Sequence, residues 1–251
     1  MSERAPASPG RGSAPAAAFQ PGLPLVVEGR DGRTPLSFTV RHIVCAGYTG
    51  RDRDEAERHI RELEGLGIAR PKEVPVFFAV ASYLATVEQV IEVQGPFTSG
   101  EAEFALIFGP GGPWVTVASD QTDRFVERHS VPAAKQLCPK VLAPIVWPLA
   151  DVEGHWDELE LRAWVLSGRK RRLYQEAKLG SLLAPDKLLS GLRRRVGRSH
   201  DGVVLLSGTV PTVDGQVVYG DAYELELADP RLDRAIRTQY AVRVLERDPR
   251  G

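Results

Sequence analysis

The stretch GEAEFALIFGPGGPWVTVASDQTDRFVER, residues Gly100–Arg128, decides how the chain folds. Two apolar runs, Phe104–Phe108 and Trp114–Ala118, flank a Gly/Pro cluster, a pattern that predicts two strands joined by a turn. Glu101 and Glu103 stand two apart at the head of the first run, so the two-residue period of a strand points both carboxylates to one face. Asp120 ends the second run. If the hairpin places Glu103 opposite Asp120, three carboxylates share that face; another register sends Asp120 to the back. Carboxylates gathered this closely repel one another unless a positive charge lies between them. A hard divalent cation such as Mg2+, which takes oxygen ligands at roughly 2.0–2.1 Å and keeps several waters, meets that need. The local pattern also fits a strand that shows Glu-x-Glu to solvent.

Upstream of this stretch, Val74–Val80 and Val87–Glu92 read as strands. Before them, Arg51–Leu66 places Ala56, Ile60, Leu63 and Leu66 at spacings of three and four, which predicts a short amphipathic helix ended by Gly65 and Gly67. His42–Ala46 is a further strand. Leu25–Val27 and Leu36–Val40 form a hairpin around Asp31-Gly32. Residues 1–20, rich in Ala, Pro, Ser and Gly, are expected to be a disordered tail outside a single domain spanning 21–250.

Downstream, Asp123–His129 reads as a helical turn and Lys140–Trp147 as a strand interrupted by prolines. Leu159–Leu166 and Arg171–Glu176 pair across Ser167–Lys170, and Pro185–Val196 is a helix with Pro185 in its first turn. Val203–Leu206, Val217–Tyr219, Tyr223–Leu227 and Ile236–Leu245 read as strands. Strands outnumber helices and no βαβ alternation repeats, so the expected fold class is mostly β (α+β) with a few short helices.

The chain of 251 residues has a net charge of -1, and its basic runs, Arg169–Arg172 and Arg193–Arg195, are short. Nothing there asks for a nucleic-acid partner. Cys45 and Cys138 have no paired spacing, which suggests packed core thiols in a reducing compartment. No apolar stretch approaches a membrane span, and the Ala/Pro-rich start lacks the apolar segment of a secretory signal, so a soluble, cytoplasmic protein is expected. His42, His129, His155 and His200 have no zinc-like spacing, and no P-loop, dinucleotide fingerprint or Gly-x-Ser-x-Gly is present.

Over roughly residues 40–245 the order of features resembles the C-terminal domain of the fumarylacetoacetate hydrolase (FAH) superfamily, and within it the bacterial DUF2848 group. The motifs are Glu101-Ala102-Glu103 before FALIFG, then Ser119-Asp120 with Thr122 and Arg124, then Ser207-Gly208-Thr209-Val210-Pro211, then Gly220-Asp221. The chain departs from the family pattern in four ways. The spacing between Glu-x-Glu and Asp is short, Ser119 stands where Asn is common, Val210 separates Thr209 from Pro211, and Glu127 replaces a Gln.

The resemblance implies a mixed β-sandwich-like roll, a homodimer, and Glu101, Glu103 and Asp120 as ligands of Mg2+ or Mn2+. It also implies a small acidic substrate, a 2-oxo acid or 1,3-dicarbonyl acid. The chemistry would be hydrolytic C–C cleavage through a metal-stabilised enolate, or decarboxylation or tautomerisation of the same kind of compound; a non-catalytic small-acid binder is the alternative outside enzymes.

Further candidates follow from the same comparison. His59 and Glu62, three apart and so neighbours on one helix face, resemble a His-x-x-Glu pair on a helical lid that prepares a water. A solvated helix face explains them equally. Lys135 resembles a substrate-contacting lysine before a Pro-containing strand; Lys140 is the fallback, and surface placement suits it better. Arg124 reads as a carboxylate clamp or salt-bridge partner, and Thr209 as an anion-facing turn residue or an ordinary tight turn. Gln175 resembles a position at the pocket edge, although an exposed strand glutamine is the simpler reading.

Overall fold

The computed structural model describes residues 19–52, 54, 57, 61, 70, 71, 73–196 and 200–245. Seventeen strands are found among them. In chain order they begin with β1 (Gly22–Gly29), β2 (Gly32–Thr39), β3 (His42–Gly47), β4 (Val76–Val80), β5 (Ala85–Thr86), β6 (Val90–Val93) and β7 (Thr98–Ser99). The central pair, β8 (Ala102–Phe108) and β9 (Trp114–Asp120), leads through β10 (Thr122–Asp123) into two short helices, α1 (Arg124–Glu127) and α2 (Val131–Gln136). Then come β11 (Lys140–Leu142), β12 (Ile145–Pro148), α3 (Leu149–Val152), β13 (Glu160–Ser167), β14 (Lys170–Lys178) and α4 (Pro185–Val196). The last strands are β15 (Val203–Leu206), β16 (Ala222–Asp229) and β17 (Arg234–Val244).

The larger sheet is mixed, in the order β2-β1-β12-β9-β8-β15-β3-β4, with β11 beside β9 and β5 beside β11. The second sheet runs β14-β13-β16-β17-β6, and β7 pairs with β10 in a small ribbon. This is the mostly β, α+β architecture that the strand-rich sequence predicts.

Every residue of β8 and β9 is buried, because this strand pair packs into a core on each of its faces. Alternation along β8 divides its side chains between two cores. Phe104, Leu106 and Phe108 join Leu161, Ala163, Tyr223, Leu225, Ile236 and Tyr240 of the second sheet, with Leu188 and Leu192 of α4, in the core between the sheets. Ala105 and Ile107 face the other way, into a second core with Cys45, Ala118, Leu142, Val204, Leu206 and Phe38 of the β1–β2 hairpin. Glu103 has the parity of this second set and stands at its end. Both cysteines are buried and unpaired, and burial pushes the Cys138 thiol up to about 12, in keeping with packed rather than reactive thiols.

Several boundaries differ from the sequence reading for identifiable reasons. β4 starts at Val76, one residue after Pro75, which has no N–H to donate. Val217–Tyr219 forms no strand. The segment from Val210 to Asp221 crosses as a loop with one isolated bridge, Gln175 to Thr212, and Gly215 within it has φ +69°. The proposed helix Arg51–Leu66, with the His59–Glu62 pair on it, falls largely outside the described residues, and both His59 and Glu62 lie outside them. Conversely, α2 went unread because it is only six residues long; Ser130 caps it, accepting from the Ala133 amide, and a proline stands in its first turn.

Phe104 is fully buried, and its ring meets Trp156 edge to face at 4.9 Å between centroids. Phe104→Ala is expected to cost about 3–5 kcal/mol in urea denaturation, the loss typical of emptying a large aromatic site. A loss below about 1 kcal/mol would mean that the two sheets share no tightly packed core there.

Candidate metal centre

Glu103 pairs with Ala118 and Ala102 with Ser119, and the Asp120 amide donates to the Glu101 carbonyl at 3.0 Å. Asp120 therefore stands opposite Glu101 and not opposite Glu103, the pairing on which the sequence made convergence conditional. The slip is two residues. An even slip preserves the face, so all three carboxylates still converge. One oxygen from each lies within 4.8 Å of the others, with Glu103 and Asp120 buried and Glu101 partly open.

Three cationic side chains surround them. Lys135 Nζ sits 2.5 Å from Asp120 Oδ2 and 3.6 Å from Glu101 Oε2. Lys140 Nζ takes the other oxygen of Asp120, Oδ1, at 2.6 Å, and donates to the Gln121 carbonyl at 2.7 Å. Arg124 donates from Nε to Ser99 Oγ at 2.7 Å, and its two terminal nitrogens lie 2.9 Å from Glu101 and 2.8 Å from Glu127. Lys140, which the sequence placed more naturally at the surface, is 0 % exposed. Its reason for burial is Asp120: β11 pairs with β9 so that the two residues stand directly opposite.

The electrostatics are uneven across the trio. Burial pushes the Glu103 carboxyl well up, and the negative charge of Asp120 pushes it further. Burial acts the same way on Asp120, but the two lysine charges outweigh it and hold that carboxyl well below its usual range. Lys135 is itself held well above the ordinary lysine value, since Asp120 and Glu101 overcome its own burial.

The donor set fits a hard divalent ion. Three carboxylates supply oxygen only, and one Glu103 oxygen, Oε2, is already fixed by the Gly208 amide at 2.8 Å. Gly208 is needed for that cradle. Its φ is +83°, and a Cβ there would come within 2.3 Å of Thr49 Oγ1. Thr49 Oγ1 is buried with no hydrogen-bond partner among the described residues.

Thr209 donates to the Ala102 carbonyl at 2.8 Å and accepts from Gln175 Nε2 at 2.7 Å. Gln175 is buried, unlike the exposed strand residue its sequence suggests. Its Oε1 accepts from the Ala102 amide at 2.9 Å, tying β14 to the strand between the two glutamates. Behind Asp120, Ser119 and Tyr240 share a hydrogen bond at 2.6 Å, and Tyr240 donates to Gln121 Oε1 at 2.8 Å. Gly100 leaves room for this pair, as a Cβ there would meet the Tyr240 hydroxyl at 2.4 Å. The supporting roles of Tyr240, Gln121 and Gly100 carried no motif in the sequence; they depend on β17 meeting the end of β9 in space. Lys135, Lys140, Arg124, Thr209 and Gln175 all gather around the carboxylates or the strand that bears them.

Comparison with known proteins places the chain in a family and a fold. The family model described as "Protein of unknown function (DUF2848)" matches residues 46–240. No curated protein matches. Among solved structures, a protein described as a fumarylacetoacetate isomerase/hydrolase from Oleispira antarctica superposes with a TM-score of 0.58 at 18% identity, covering 87% of this chain and 98% of its own. A fumarylacetoacetate hydrolase family protein from Yersinia pestis gives 0.58 at 17%, covering 86% and 99%. A 2-keto-3-deoxy-D-arabinonate dehydratase, complexed with magnesium and 2,5-dioxopentanoate, gives 0.55 at 14%, covering 81% and 74%. These similarities establish a shared fold.

Removing Lys140 takes the close cationic donor from one oxygen of a buried carboxylate and from a backbone carbonyl. Lys140→Met is therefore expected to lower the unfolding free energy by roughly 3 kcal/mol, read from the denaturant midpoint at constant m-value. No measurable loss would mean that water reaches Asp120 in solution.

Proposed function

The chain belongs to the DUF2848 family, and we propose that it is a divalent-metal-dependent enzyme acting on a small 2-oxo acid or 1,3-dicarbonyl acid, with hydrolysis of a C–C bond as the favoured reaction. The observation that carries this reading is the convergence of Glu101, Glu103 and Asp120, within 4.8 Å, at the end of the strand face that carries Ala105, Ile107 and Ala118. Fold-level likeness to hydrolase and dehydratase structures supports the class of chemistry.

In this reading Glu101, Glu103 and Asp120 hold Mg2+ or Mn2+. The ion would draw electron density from two substrate oxygens and lower the cost of negative charge developing as the bond breaks. Lys135, which reaches both Asp120 and the partly open Glu101, would hold an anionic oxygen of the substrate as a point charge. Lys140 is wholly buried behind Asp120, so we assign it the orientation of that carboxylate and not a substrate contact. Arg124 is engaged by Glu101, Glu127 and Ser99 together, and positions Glu101. Thr209 and Gln175 brace the backbone at Ala102 and with it the spacing of the two glutamates. To His59 and Glu62 falls the preparation of a water for the hydrolytic step.

Titration of Mg2+ or Mn2+ into the wild type and Glu103→Ala tests the centre. Binding in the wild type is expected to weaken at least tenfold in the variant, and equal affinity would defeat the assignment. Acylpyruvates and oxaloacetate supplied with the metal then test the reaction. His59→Ala should reduce hydrolysis by about a hundredfold or more if the residue activates water. Retention of near-full activity would instead identify a decarboxylase or tautomerase that uses no activated water, and binding without turnover a small-acid sensor.

A further inference from the structure

Beside the carboxylates lies a cleft whose walls are aromatic. Phe97, Phe125 and Tyr219 are 49%, 54% and 45% exposed, and with Arg124 and Arg128 they line a cavity of about 430 Å3. Phe97 and Tyr219 meet edge to face at 5.7 Å, and the Arg128 guanidinium lies 4.6 Å over the Phe125 ring. A single exposed aromatic residue is commonplace; three of them, brought around one cleft by three separate segments, form a binding surface that solvent covers poorly.

The cleft adjoins the metal centre through one shared residue. Arg124 is one of its walls, and the same side chain reaches Glu101 at 2.9 Å. The Phe97 carbonyl accepts from the Arg124 amide at 2.8 Å, and Phe125 follows Arg124 directly. Phe97 precedes Glu101 by four residues, which limits their Cα separation to about 14 Å even in a fully extended chain. The Arg124 side chain thus joins one wall of the cleft to Glu101.

We infer that this cleft receives the tail of the substrate and that the tail is an aryl group, so that the enzyme's acid is an aryl-substituted 2-oxo or 1,3-dicarbonyl acid. The inference rests on the metal-centre reading of the preceding subsection and narrows it. The volume falls within the roughly 300–1,000 Å3 common for small-molecule sites. Ring edges and a guanidinium plane reward a flat π surface through edge-to-face and cation–π contact. A polyhydroxylated tail gains little there, because three of the five walls are rings and its hydroxyls would lose water without partners.

Calorimetric titration of pyruvate and of phenylpyruvate into the Mg2+-loaded whole chain tests this. Phenylpyruvate is expected to bind about tenfold tighter, the gain typical of one or two aromatic contacts. That ratio should fall toward unity in Phe125→Ala and in Tyr219→Ala, half-exposed positions whose truncation spares the core. Equal affinities in the wild type, or a ratio untouched by both substitutions, would overturn the inference. So would a change of sedimentation state in both variants with the ratio intact, which would make the cleft a contact between two copies of the chain. If pyruvate binds and the aryl group adds nothing, the tail assignment alone fails. If Mg2+ binds but neither acid does, the proposed function and the tail assignment fall together.

Discussion

Everything at the candidate site depends on the pairing of Ala102–Phe108 with Trp114–Asp120. A strand pair transmits parity: residues directly opposite share a face, and residues two apart share it too. Asp120 opposite Glu101 and two positions of offset to Glu103 are therefore sufficient to gather three carboxylates, provided that the register is even. The register is held from both sides. One face locks Phe104 and Leu106 into the core between the sheets, and the other locks Ala105 and Ile107 into the second core. A slip by one residue would exchange these two sets and drive Glu103 into the inter-sheet core, a cost far above any local gain.

Gathering acid groups in a buried corner raises a problem of charge, and the neighbouring elements answer it. Lys140 arrives on β11 directly opposite Asp120, Lys135 on the short helix before it, and Arg124 on the first turn after β10. Asp120 receives two lysines, one on each oxygen, whereas Glu103 receives a backbone amide among the described residues. That asymmetry is the physical reason their ionisation behaviour diverges: the lysine charges outweigh burial at Asp120, and burial prevails at Glu103. A divalent ion among the three would supply at Glu103 what the lysines supply at Asp120.

The walls around the carboxylates come from distant parts of the chain. Gly208 and Thr209 approach from the loop after β15, Gln175 from β14, and Tyr240 from β17. Each bonds to a strand or side chain of the site, so its outer support is shared between both sheets. The aromatic cleft has the same character, since Phe97, Phe125 and Tyr219 belong to three segments that meet only in the folded chain.

Local pattern alone was enough for much of the frame. Alternation and turn residues marked the β1–β2 hairpin, the β13–β14 pair and helix Pro185–Val196, because these elements are bounded by contacts within a few residues. It also placed Glu101 and Glu103 on one face, since a two-residue period needs no tertiary information. What lay beyond it was whatever depends on partners remote in sequence. The sequence could not distinguish Asp120 opposite Glu101 from Asp120 opposite Glu103, because the Gly/Pro turn permits both lengths and only the two cores choose between them. It read Lys140 and Gln175 as surface residues, because a lone polar side chain on a strand is usually solvated unless a buried partner calls it inward. Tertiary structure supplied those partners, Asp120 for the lysine and the Ala102 amide for the glutamine, and so decided that both are buried.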